Sequence, residues 1–339
     1  MIFRTPSYYN AFRCTADKCS DNCCIGWEID IDPDTATYYN SVEGDFGKRL
    51  KENISAENSF ILKGERCPFL NENNLCDIII NCGENRLCQI CSDHPRYFEW
   101  YGSLKEGGIG LSCEEGARLI LTSYNLTFTE SEVCEYEDEI DEEFLSFLLS
   151  ARENLFDILS SDLPLKDKLF CILDSAEKLQ FRIDNPHLGD QLFVCDSTPS
   201  DSQSFHDILS LFSDFEPIDE SWTQEYYSLM QNESFPLFFT ETEEKYAVNL
   251  LRYFIWRYFL KGVFDEEILS KLKFAAVSIL VIKAMTREND SLCAWIEKSK
   301  LYSKQMEYSE ENRELFFDYT YEKQCLSTGS IKALINILY

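Results

Sequence analysis

The chain has 339 residues, 45% of them apolar, enough for one large or two ordinary domains whose core needs no disulfide. Its 60 acidic against 31 basic residues leave a formal net charge of −29, which repels phosphate backbones and argues against general nucleic-acid binding. The longest apolar run, Phe274 to Ile282, is about half a bilayer span, so no membrane partner is expected.

The opening residues, MIFRTPSYYNAFRC, hold no basic region followed by an apolar stretch, and the expectation is a cytoplasmic protein. In a reducing compartment 15 cysteines stay unpaired, and a dense cluster of them points to metal or iron-sulfur ligation. The segment from Cys14 to Cys113 is rich in turns, as in KCSDNCC, LNENNLC and LKEGGIG, where metal bonds take the place of an apolar core. Within it, Asp32 and Pro33 predict a helix start, the aspartate as N-cap and the proline with its angle pre-set for the first turn. A second helix is expected from about Ser112 through CEEGARLILT.

Residues 130–143, ESEVCEYEDEIDEE, carry nine acids in fourteen positions, the mark of a solvated linker or an exposed helix start. A domain boundary is therefore expected near residue 130, dividing a cysteine-rich domain over 1–130 from a helical domain over 131–339. Beyond it, apolar residues recur at three- and four-residue spacing in EEFLSFLLSARENLFDILSS, KDKLFCILDSAEKLQF and EEKYAVNLLRYFIWRYFLKGVF. Pro164 and CDSTPSDSQS punctuate these helices, and FAAVSILVI reads as a buried one. The expected fold class is mainly α, an irregular N-terminal cysteine-rich metal-binding part followed by an all-α helical part. The singly placed Cys134, Cys171, Cys195, Cys293 and Cys325 are expected in the core.

Nine cysteines form the constellation that carries chemistry. Cys14, Cys19, Cys23 and Cys24 are spaced C-x4-C-x3-CC, Cys67 and Cys76 C-x8-C, Cys88 and Cys91 C-x2-C, and Cys113 closes the set. Zinc ribbons use two CxxC knuckles, and here there is one. His94 is the nearby imidazole, so the ligand set reads as thiolate only, suited to an iron-sulfur cluster or to zinc held by four cysteines. The C-x3-C-x2-C spacing of radical S-adenosylmethionine chemistry is absent, as is a G-x-G-x-x-G turn.

The runs CTADKCSDNCCIGWEIDID, CPFLNENNLCDI, GENRLCQICSDHPR and LSCEEGARLIL resemble the flagellin lysine-N-methylase family, part of a wider group with a CxxCxxCC-type cluster. The resemblance continues weakly through EKYAVNLLRYFIWRYF and KQMEYSEENREL, and it departs from the family at Cys82 and at Tyr308, where a histidine often follows the glutamate. It implies methyl transfer from S-adenosylmethionine to lysine side chains of flagellin, with a bound iron-sulfur cluster of 4Fe-4S type. Such chemistry needs an uncharged lysine, which desolvation by aromatic walls promotes. Trp27 and Tyr97 are the first candidates because the cysteine pattern places them near the cluster, and Arg96 either binds the cofactor carboxylate or caps a turn. Tyr246, Arg252, Tyr253 and Trp256, on a helix expected over Glu241 to Phe264, are the candidate opposing wall. The alternative is a non-catalytic scaffold with a zinc or iron-sulfur site, and a third reading is redox sensing through the vicinal Cys23 and Cys24.

Overall fold

The computed structural model describes residues 1–26, 28–123, 126–134, 139–188, 205–232, 235 and 238–338. Trp27, Cys195 and the stretch 195–204 lie outside the described residues, as do positions 135–138 of the acidic run.

The N-terminal part is not irregular throughout, because four strands make a sheet there. They are β1 (Ile2–Pro6), β2 (Arg96–Tyr101), β3 (Leu104–Ile109) and β4 (Phe128–Glu132), in the spatial order β2-β3-β1-β4. β2 and β3 form an antiparallel hairpin, β1 runs parallel to β3, and β4 closes antiparallel on β1. The strands escape a local reading for a physical reason. β1 finds its partners about a hundred residues away in the chain, and the glycines of LKEGGI look like turn residues until cross-strand contacts explain them. Gly107, for example, leaves room for the Phe3 ring, which a Cβ there would meet at 2.9 Å.

The long connection from β1 to β2 holds most of the thiols, together with α1 (Pro33–Ser41), α2 (Gly44–Glu52), α3 (Asp77–Cys82) and α4 (Gln89–Asp93). α1 starts as expected, with Asp32 Oδ1 accepting from the Thr35 N–H at 2.9 Å and proline at the first position. This connection has a small core of its own, in which Tyr39, Phe60 and Phe69 stack around Ile29, Leu50 and Ile78. After β3 comes α5 (Glu114–Leu121), at the expected place. Its Gly116 lets the helix press on the strand end, since a Cβ there would lie 2.6 Å from the Gly110 carbonyl oxygen.

The remainder is helical, as expected: α6 (Glu142–Ser160), α7 (Leu165–Asp184), α8 (Phe205–Leu211), α9 (Glu220–Met230), α10 (Glu241–Tyr258), α11 (Gly262–Asp265), α12 (Leu269–Met285), α13 (Leu292–Glu307), α14 (Glu310–Glu322) and α15 (Thr328–Leu338). α12 carries FAAVSILVI and is buried along its whole length, with α7, α10, α13 and α14 packed around it. No described helix is long and apolar enough to cross a membrane. α10 is started by a capping box between Thr240 and Glu243. Of the singly placed cysteines, Cys325 is buried and Cys171 half-buried, but Cys134 and Cys293 are exposed, against expectation. Cys134 follows the solvent-facing strand β4, and Cys293 lies on the outer side of the first turn of α13.

The sheet and the helical body share one core. Tyr8, Phe12, Leu104, Ile109 and Leu111 pack with the apolar faces of α6, α7, α10 and α12. The joint also carries a buried ion pair, Arg152 of α6 donating twice to Glu106 of β3 at 2.6 and 2.7 Å. Over the same guanidinium lies the Trp256 ring at 4.5 Å, and the indole N–H donates to the Gly107 carbonyl at 3.2 Å.

Candidate functional site

The thiols divide into two neighbourhoods that sequence order does not reveal. In the first, Cys24, Cys67, Cys76, Cys88 and Cys91 lie close enough to influence one another's ionisation, all against the small core. The Cys91 thiol bonds to Cys88, so that Cys88 is lowered while Cys91 is raised by this bond and by burial. Burial pushes the Cys67 thiol up to about 11. In the second, Cys19, Cys23 and Cys113 face one another at the N-terminus of α5, with Cys113 pushed up to about 12 by burial. Cys23 and Cys24 join the two neighbourhoods. The Cys24 thiol bonds to Cys23, and that bond, aided by His94, lowers Cys23 against the opposing effect of burial. His94 therefore touches a thiol of the constellation.

Charged groups hold the second neighbourhood to the helical body. Lys304 of α13 pairs with Asp21 at 2.5 Å, Lys300 pairs with Asp21 at 3.5 Å and Glu114 at 3.8 Å, and the Ser20 N–H donates to Glu114 at 2.8 Å. Among the described residues no group of three or more His, Cys, Asp or Glu side chains stands preformed as a metal site. The fit to a metal group rests on donor chemistry: soft thiols, Cys67 and Cys88 buried and most of the others partly so. Cys14 is exposed and accepts from the Ala16 N–H at 3.4 Å, whereas Cys82 packs against the same small core and bonds the Tyr38 hydroxyl.

Behind the thiols lies a buried polar cluster between β2, α10 and α13. Tyr253 donates to Glu307 Oε2 at 2.7 Å and accepts from Arg257 Nη1 at 2.6 Å and from the Leu111 N–H at 3.1 Å. Arg257 also pairs with Glu307 Oε2 at 2.6 Å and lies over the Tyr97 ring at 4.4 Å. The Tyr258 hydroxyl bonds the Glu307 side chain, and the Tyr97 hydroxyl is buried without a hydrogen-bond partner. Burial keeps the phenols of Tyr97, Tyr253 and Tyr258 raised well beyond neutral pH, despite the opposing charge of Arg257. The cluster and the thiols are linked twice over through short stretches of chain and a hydrogen bond. Leu111, bonded to Tyr253, is two residues from Cys113, and Glu307 precedes Tyr308, whose hydroxyl bonds Ser112 beside Cys23.

The expected site residues fall unevenly on this plan. Tyr97 and Tyr253 are in the cluster. Arg96 caps a turn through the Ser92 carbonyl at 3.3 Å and lies over the Tyr9 and Phe12 rings, on the edge of an open groove of about 570 Å³ that Tyr97 also borders. Tyr246 packs beside Trp295, and Arg252 bonds Asn249 and Ser160, both away from the thiols. Arg257, Tyr258 and Glu307 are the members that sequence reading overlooked. The spacing of Tyr253 and Arg257, four apart on one helix face, is the signal that points to the first of them.

Gly108 makes room for Tyr97, since a Cβ there would lie 2.3 Å from its hydroxyl oxygen. Gly108→Ala is expected to displace the ring and lower stability by about 1–3 kcal/mol, read from denaturant midpoints. An unchanged midpoint would show that the ring is not seated on this strand.

No family model matches the chain, and no solved structure matches it. It is 30% identical over 126 residues to the flagellar biosynthetic protein FliU of Salmonella muenchen, a match covering 34% of this chain and 75% of that protein. It is 29% identical over 126 residues to the lysine-N-methylases of Salmonella typhimurium and Salmonella choleraesuis, covering 34% of this chain and 31% of each of theirs. The match thus spans about a third of the length of those two methylases.

Proposed function

The chain belongs to the family of FliU and the lysine-N-methylases, and from that premise we propose an S-adenosylmethionine-dependent protein lysine N-methyltransferase acting on flagellin, with a 4Fe-4S cluster as resident cofactor. The observation that supports this reading best is the buried cluster of Glu307, Arg257 and three phenols set directly behind the thiols.

Thiolates drawn from the two neighbourhoods would hold the cluster, which when bound supplies an iron able to grip the amino and carboxylate groups of a methionine moiety. The rest is the work of the protein. A lysine nitrogen must arrive uncharged and in line with the leaving sulfur. Its free pKa is about 10.4, so the neutral form costs roughly 4–5 kcal/mol at pH 7 unless the site lowers that value. The phenol walls desolvate the amine, and the Arg257 guanidinium disfavours a second positive charge, both in the required direction. The nitrogen lone pair then forms the N–CH₃ bond while the carbon–sulfur pair stays on sulfur, and the methylammonium gives its extra proton to water.

The test is anaerobic isolation followed by iron, sulfide and zinc analysis and by tritiated-methyl labelling of purified flagellin. Near-stoichiometric iron and sulfide with labelled flagellin are expected. Stoichiometric zinc without sulfide, and no cluster after reconstitution, would overturn the cofactor. An unlabelled flagellin with cluster-loaded protein would overturn the activity and leave a metal-binding scaffold.

A further inference from the structure

β2 is an edge strand, joined to β3 on one side and to no described strand on the other. The pairing register fixes which of its backbone groups face outward. The Gly110 N–H donates to the Pro95 carbonyl, so this pair sits at a hydrogen-bonded position, and by alternation the pairs at Tyr97 and Glu99 do too. The N–H and C=O groups of Arg96, Phe98 and Trp100 therefore point away from β3. They face the open groove of about 570 Å³, which residues from both faces of β2 border, Tyr97 from one and Arg96, Phe98 and Trp100 from the other, and which no residue of β3 borders. Across it stand Asp30, Ile31 and Asp32, and Gln89, Ile90 and Asp93 of α4. We propose that the free edge of β2 docks an extended, lysine-bearing peptide segment, which adds to the sheet as a further strand. The dock rests on the methylase reading only in that the segment would then belong to the protein whose lysine is methylated.

What the groove offers selects the occupant. Backbone donors and acceptors in a row along a strand edge are matched by another extended chain. Exposed edges are commonly blunted by lysine or proline on the strand, and β2, with the sequence RYFEWY, has neither. Apolar side chains stand on both sides of the groove, Ile90 being 37% and Trp100 40% exposed. Charge then sets the class of peptide. Three carboxylates, Asp30, Asp32 and Asp93, face one cation, Arg96, whose guanidinium is turned onto the Tyr9 and Phe12 rings. Asp32 is taken up by the backbone N–H groups of Thr35 and Gln89, which leaves Asp30 and Asp93 to attract a cationic side chain. An acidic segment is repelled by these groups and by the net charge of −29. The groove also reaches His94, which bonds Cys23, so a lysine at that end of the docked strand approaches the thiols.

The test uses the full chain and a short acetylated peptide of alternating threonine and valine with one central lysine, fluorescently labelled and titrated by anisotropy. Backbone N-methyl groups are placed on either of two alternating sets of its positions, because one edge of an added strand bonds β2 and the other faces solvent. One set is expected to weaken binding roughly tenfold or more, the other by less than about twofold. Glutamate in place of the lysine should weaken binding about tenfold. The double variant Asp30→Asn/Asp93→Asn should bind the lysine peptide roughly threefold to tenfold more weakly and a norleucine peptide as the wild type does. Equal losses from both methylation sets, or no binding, would overturn the strand dock. A lysine peptide bound no better than its norleucine or glutamate counterpart would overturn the lysine-bearing class. A concentration-dependent dimer that the peptide fails to dissociate would give the edge to a second copy of the chain and overturn the proposal as well. Binding that depends on the methylation set, with no labelled flagellin, would remove the methylase reading and leave the dock standing. Labelled flagellin without such binding would do the reverse.

Discussion

Anaerobically isolated protein carrying Cys24→Ser is expected to lose roughly tenfold or more of its iron and sulfide, and with them its methyl transfer to flagellin. The reason is position. Cys24 is bonded to Cys23, which belongs with Cys19 and Cys113, and it also stands within electrostatic reach of Cys67, Cys76 and Cys91. A ligand set drawn from either neighbourhood therefore passes through this pair of adjacent residues. Serine keeps the size of the side chain but is a poor substitute for a soft thiolate. Cys171→Ser, half-buried on α7, is the control that should keep its metal. Iron and sulfide at wild-type levels in Cys24→Ser would place the cluster elsewhere.

Arg152→Met should be the most damaging change outside the thiols, with a loss of about 3–5 kcal/mol in folding stability. The substitution leaves the buried Glu106 carboxyl without its two charge-assisted bonds, and Arg4, 3.9 Å from it and partly exposed, is too far to replace them. It also removes the guanidinium that lies over Trp256, whose indole ties α10 to β3. Since this joint sets the distance between β2 and α10, the cluster of Tyr97, Arg257 and Glu307 should loosen with it. The double variant Glu106→Gln/Arg152→Met should recover part of the stability, because no unpaired charge remains. Denaturant midpoints of the three proteins decide the matter, and equal midpoints for the wild type and Arg152→Met would show that the pair contributes nothing to the joint.

Several features were legible in the sequence because their causes are local. The Asp32–Pro33 helix start depends on four consecutive residues, and the structure shows that cap. The burial of the Phe274–Ile282 stretch of α12 follows from its nearly unbroken apolar run, which no solvent-facing helix tolerates. The cysteine runs and their flanking residues likewise carry their signal in short segments, and they pointed to the family that the relatives share.

What only the tertiary structure decided is long-range. β1 is recognisable as a strand only when β3 and β4 are placed beside it, because five residues of mixed polarity have no period of their own. The exposure of Cys134 and Cys293 depends on which side of an element faces solvent, and residue type alone is silent about that. The grouping of eight of the nine thiols into two neighbourhoods cuts across their order, placing the bonded pair Cys23 and Cys24 on either side of the junction while bringing Cys113 to Cys19. The buried polar cluster is the extreme case. Tyr97, Arg257 and Glu307 belong to a strand and two helices, and they meet because sheet and helices share one apolar core. Each residue alone reads as an ordinary aromatic, a helix cation and a surface acid. Burial in a common, desolvated space turns them into chemistry, and burial is a property of the packed chain.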